Sequence, residues 1–147
     1  MVTVGSGHWG STSWAVAASD TAGGRVCMTL RLGTGARSGF CGIVRRRAMR
    51  PGDAYGLTLT AGRSIAVSYV VGAVRSTART VEIHLSRGNS VIARTIEPPR
   101  GLQQNIAFFA VRRPCGDFPT VLVARDAAGR IVARSAASGG GPHLLPC

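Results

Sequence analysis

The sequence predicts an all-β domain of two packed antiparallel sheets, and three observations carry that expectation. Apolar residues recur at every second position, most cleanly in Thr80 to Ser86, where Val81, Ile83 and Leu85 alternate with Glu82, His84 and Ser86. Short clusters of Gly, Pro and Asp divide these rows where turns are needed. No segment shows the apolar period of an amphipathic helix. About nine to ten short strands follow, in a single domain over residues 1–147 with loose termini at 1–11 and 136–147. A small β-barrel is the alternative arrangement.

From Thr12 the chain alternates through Trp14, Val16 and Ala18, then turns at Asp20 to Gly24. Val26, Met28, Leu30 and Leu32 form the returning row. A hairpin centred on Ala22 sets Trp14 opposite Leu30, Val16 opposite Met28 and Ala18 opposite Val26, so the two apolar rows share a face. Centring the next turn on Thr34, within Gly33 to Gly35, sets Met28 opposite Phe40 and Cys27 opposite Cys41. Those cysteines then stand on the face away from the Trp14 row, where a non-hydrogen-bonded antiparallel pair accepts a disulfide. Such a bridge contributes about 3 kcal/mol on the chain-entropy estimate. The same register opposes Arg31 to Arg37, and this repulsion predicts that the ladder opens before the turn.

Beyond the basic run Arg45-Arg46-Arg47-Ala48-Met49-Arg50 and the Pro51-Gly52-Asp53 turn, strands are expected at Leu57 to Thr60 and, after Ala61-Gly62, at Ser64 to Val71. A turn centred on Gly88 pairs Leu85 with Val91, Ile83 with Ala93 and Glu82 with Arg94, the last an opposite-charge pair on the wet face. Ile106 to Val111 is apolar on both faces, as a central strand is, with Phe108 and Phe109 pointing to opposite sides. Thr120 to Arg125 and Arg130 to Arg134 form a hairpin through Asp126-Ala127-Ala128-Gly129, with Asp opening and Gly closing the turn. The outline resembles an immunoglobulin-like sandwich.

An apolar fraction of 45% argues for a packed core, and 20 glycines for many turns. The formal net charge is +12, and all 18 basic side chains are arginine. Part of this charge therefore reads as the codon composition of a GC-rich genome. The rest points to anionic partners, and Arg45, Arg46, Arg47 and Arg50, joined by Arg37, form the candidate anion-binding patch. Nucleic acid is disfavoured, because single-strand binding pairs charge with aromatic platforms and only Phe40 is near.

The four cysteines, Cys27, Cys41, Cys115 and Cys147, include no C-x-x-C pair and no histidine at zinc-ligand spacing, so disulfides are expected in place of a metal. Joining Cys27 to Cys41 leaves Cys115 with Cys147. Two bridges place the protein in an oxidising compartment, secreted or at the cell surface. Met1 to Gly10 has neither the charged nor the apolar region of a signal peptide, and no apolar run reaches the length of a membrane helix.

No catalytic or cofactor signature is present. Ser6-Gly7-His8 is not a nucleophile elbow, and no phosphate loop opens a helix. Glu82 and His84 project from one side of one strand and form the only acid–base pair at close spacing, while Asp53, Asp117 and Asp126 occupy turns. The expected function is a non-enzymatic extracellular interaction or structural module, of protein partners or an anionic surface, with self-association through strand edges as a further option. A secreted hydrolase with a site assembled from distant loops is the alternative.

In cadence, Trp14 to Ala18, Val26 to Leu30, Phe40-Cys41-Gly42 and Val123 to Val132 resemble small extracytoplasmic β-domains. These belong to uncharacterised secreted or membrane-anchored proteins of GC-rich Gram-positive bacteria. That resemblance implies a location and a fold class, and brings no catalytic residues.

Overall fold

A computed structural model describes residues 1–21, 25–33, 35, 37–43, 52–53, 60–63, 68–102, 104–114 and 116–136. Their regular structure is all β: β1 Val2–Trp9, β2 Thr12–Thr21, β3 Arg25–Leu32, β4 Arg37–Ile43, β5 Gly52–Asp53, β6 Thr60–Arg63, β7 Ser68–Arg75, β8 Thr80–Leu85, β9 Ser90–Arg94, β10 Ile106–Arg113, β11 Pro119–Arg125 and β12 Ile131–Ala136. They form three sheets, ordered β1-β2-β3-β4, β10-β7-β6 and β5-β12-β11-β8-β9, and none closes into a barrel. Every pairing is antiparallel except the short β12–β5 contact.

The expected two-sheet sandwich gives way to three sheets, because the β10-β7-β6 sheet is covered on both faces. Tyr69, Val71 and Ala73 of β7 and Ile106 and Phe108 of β10 join a core with Val16, Met28 and Leu30 of the first sheet. Their neighbours Val70, Val74, Ala107 and Phe109 join a second core with Val81, Ile83 and Leu122 of the third. Period-two alternation in a strand apolar on both sides thus feeds two cores at once. Phe108 and Phe109, adjacent and opposed as the sequence suggested, are both 0% exposed.

The first strand corrects the expectation of a loose lead-in. Gly5 and Gly7 of β1 are slots: a Cβ on Gly5 would lie 2.6 Å from Ile96 Cδ1, and one on Gly7 2.9 Å from Trp14 Cζ2. The indole of Trp14 stacks on Trp9 at 5.2 Å between centroids, and Trp9 on Tyr69 at 6.1 Å, which ties β1 to the middle sheet. Gly10, with φ 63°, makes the tight turn into β2.

Two hairpins pair two residues away from the expected register. In β2–β3, Trp14 lies opposite Leu32, Val16 opposite Leu30 and Ala18 opposite Met28. In β8–β9, Ile83 lies opposite Val91 and Val81 opposite Ala93. A slip of two keeps every side chain on its own face, so the apolar pattern fits either register. Turn geometry decides the second case: Leu85 N–H donates to Asn89 O at 2.8 Å, and Gly88, at φ 87°, ends a three-residue loop. β6 also runs straight through Ala61-Gly62, where a turn was expected. Leu57 and Ser64 to Val67 lie outside the described residues.

Candidate anion-binding face

The β3–β4 ladder pairs Cys27 with Cys41 and Met28 with Phe40, as the sequence predicts. Cys27 and Cys41 are joined by a disulfide, with Cα atoms 4.0 Å apart. That separation marks a non-hydrogen-bonded pair, the type whose side chains come closest. Pairs two and four residues along a regular ladder are of the same type, so Arg31 and Arg37 form another. The ladder does not open before the turn as expected. It carries two arginines directly opposite each other at the closest kind of cross-strand position.

Arg25, Cys27, Thr29 and Arg31 share the outer face of the first sheet, turned away from the core that Val26, Met28, Leu30 and Leu32 enter. Across the ladders this face continues through Ser19, Ala17 and Ala15 of β2 and Thr3 and Ser6 of β1. These side chains are short, and the exposed guanidiniums of Arg25, Arg31 and Arg37 rise from them. Thr29 Oγ1 donates to Met1 Sδ at 3.7 Å. No acidic side chain shares the face among the described residues: Asp20 lies opposite Val26, on the other parity. The ion pairs among those residues, His84–Glu82, Arg125–Glu82 and Arg130–Asp126, all lie elsewhere. Like charges directly opposed in a ladder are destabilising, and no acidic partner offsets these among the described residues.

Arg45, Arg46, Arg47 and Arg50 lie outside the described residues, and so do Cys115 and Cys147. Of the predicted patch, Arg37 is placed by the structure. Arg25 and Arg31 were legible as its companions, since they share the parity of Cys27, but their density is lower than that of the Arg45 run.

The outer face of the third sheet carries a second polar group. Glu82 does not meet Arg94, because the shifted register sets Arg94 opposite Thr80 and Ile92 opposite Glu82. Glu82 Oε1 lies 3.4 Å from His84 Nε2, and its Oε2 lies 3.9 Å from Arg125 Nε on β11. His84 Nδ1 lies 3.3 Å from Ser90 Oγ, a contact created by the same shift. Neither Asp117 nor Asp126 joins this group. Asp117 Oδ1 accepts from Ser86 Oγ at 3.0 Å and Arg87 N at 2.8 Å, holding the β8–β9 turn. Asp126 accepts from the backbone N–H of Ala128 and Arg130, both at 2.9 Å. A cleft of about 340 Å³ lined by Arg79, Thr80, Arg94, Thr95 and Glu97 contains none of the group.

One buried charge was not anticipated. Arg113, 3% exposed, donates from Nη1 to Asp117 O at 2.9 Å and lies over the Phe118 ring at 5.5 Å. Burial lowers its pKa, while Asp117 and Tyr69 act in the opposite sense. Its Nε and Asp117 Oδ2 have no hydrogen-bond partner. Among the described residues no set of three or more His, Cys, Asp or Glu side chains could hold a metal ion. Among them, too, no helix is long and apolar enough to cross a membrane.

Comparison with protein-family models, curated proteins and solved structures finds no match to this chain.

Proposed function

We propose that this protein is a non-enzymatic extracytoplasmic interaction module that holds an anionic partner on the outer face of its first sheet. The observation that carries the reading is the opposed pair Arg31 and Arg37, which has no acidic partner among the described residues. An oxyanion placed between two guanidiniums turns their repulsion into attraction, and each fork can engage it through two N–H groups. The Cys27–Cys41 bridge, four residues along the same ladder, holds the two strands that present the pair. A disulfide of this kind also favours an oxidising compartment, secreted or at the cell surface.

Retention on immobilised heparin in a salt gradient tests the reading. The Arg31→Ala/Arg37→Ala protein should elute at clearly lower salt than the parent, with a melting temperature equal to or slightly above it, since the repulsion is relieved. Equal elution of the two proteins would sink the assignment to this face.

A second reading, a secreted hydrolase, draws on the chain of contacts Ser90–His84–Glu82. A base beside a hydroxyl, oriented by an acid, is the arrangement that activates a serine nucleophile. Covalent labelling of Ser90 by a fluorophosphonate, lost in His84→Ala, would carry it. A native protein that takes up no label would remove it.

A further inference from the structure

We infer that the ligand of the arginine face is an extended, flexible polymer of phosphate or sulfate groups, held at two separate anchors. This rests on the anionic-partner reading and specifies the ligand. Arg25 and Arg31 lie on the same face of β3 but six residues apart, which at the rise of an extended strand separates them by about 20 Å. Arg31 forms one anchor with Arg37. Arg25 forms the other, at the opposite end of the strand. A single small oxyanion reaches one anchor, whereas a chain of them spans both, and the second contact is then made at high effective concentration.

The surface between the anchors says how the chain is recognised. Cys27, Thr29, Ala17 and Ser19 present short side chains between the anchors. The longer side chain that reaches this lane, Met1 against Thr29 Oγ1, is 63% exposed and free to swing aside for a polymer lying along β3. Trp9 and Trp14 stack with Tyr69 on the core side. The exposed His8 of β1, opposite Ser13, shares the parity of this face but stands two strands from β3 and beyond its Arg31 end. Between the anchors no ring offers a stacking platform among the described residues, and recognition along β3 falls to the charged groups and to the hydroxyls of Ser19 and Thr29. Strand twist rotates the two anchors relative to each other, which a flexible chain follows more readily than a rigid duplex.

Affinities measured at fixed ionic strength test this with two chemistries at two lengths. Tripolyphosphate is compared with a long inorganic polyphosphate, and a heparin disaccharide with full-length heparin. Arg25→Ala should weaken binding of the preferred long chain by about tenfold or more while leaving its short counterpart within about twofold. Arg31→Ala/Arg37→Ala should weaken both lengths. Whichever long chain binds more tightly identifies the source of the oxyanions. If Arg25→Ala leaves long-chain affinity unchanged, or weakens long and short probes equally, the two-anchor inference is overturned and the anionic-partner reading stands. If the Arg31→Ala/Arg37→Ala protein binds every probe as the parent does, or the parent binds none, that reading falls and the inference falls with it.

Discussion

Phe109 lies across the bare Cα of Gly72, its partner in the β7–β10 ladder, and a Cβ there would come within 2.7 Å of Phe109 Cζ. Both residues are buried, so neither can yield into solvent. Gly72→Ala should therefore cost about 1–3 kcal/mol in urea unfolding, the range for overpacking a tight core. Phe109→Leu should cost less in the Gly72→Ala background than in the parent, and simple additivity of the two changes would refute this account of the contact. Asp126 acts by hydrogen bonding. The backbone N–H of Arg130 is the main cause that holds its carboxyl below the ordinary value of 3.8, with Ala128 N–H and the Arg130 charge adding to it. A depressed folded pKa contributes stability that is present above the unfolded value and lost as pH falls through the folded one. Melting temperature measured from pH 5 downward should thus fall less steeply below about pH 4 for Asp126→Asn, which keeps the accepting Oδ1 but not the charge.

The β3–β4 hairpin was legible residue by residue because the cysteines mark one register and no other. The β2–β3 and β8–β9 hairpins lacked such a mark. Their apolar rows fit equally well two residues along, and only turn geometry separates the choices. Arg31 opposite Arg37 was read from the sequence, but its repulsion was overweighted: a like-charge pair costs no more than about 1 kcal/mol, too little to open a ladder stapled nearby. β1 was missed because alternate glycines carry no hydrophobic signal, while the rings and methyls that fill them come from Trp14 and Ile96. The Ser90–His84 contact was hidden by the slipped register. Removing the staple should expose its value: Cys27→Ser/Cys41→Ser is expected to lose about 3 kcal/mol of unfolding free energy. A loss below about 0.5 kcal/mol would mean that the strand pairing alone holds β4 in place.

Burial on both faces can be read from one strand; its place in the sheet and the number of layers around it cannot. β10, expected to be central, stands at the edge of the order β10-β7-β6 with β7 in the middle. Ile106 to Val111 announced a strand covered on both sides, yet β7 was harder to interpret, since Gly72 and Ala73 interrupt its bulky residues. Only the assembled molecule shows Phe108 and Phe109 entering separate cores. That placement binds the fates of the two outer sheets together. Peeling either one away would bare an apolar face of β7 and β10, so a partly opened form with the middle sheet intact is penalised from both directions. Amide hydrogens of Val70 to Val74 and Ala107 to Phe109 should accordingly exchange with solvent at a single opening free energy equal to that of global unfolding, later than those of the edge strands β1 and β9. Two distinct exchange classes within the middle sheet would instead show that its covers come off one at a time.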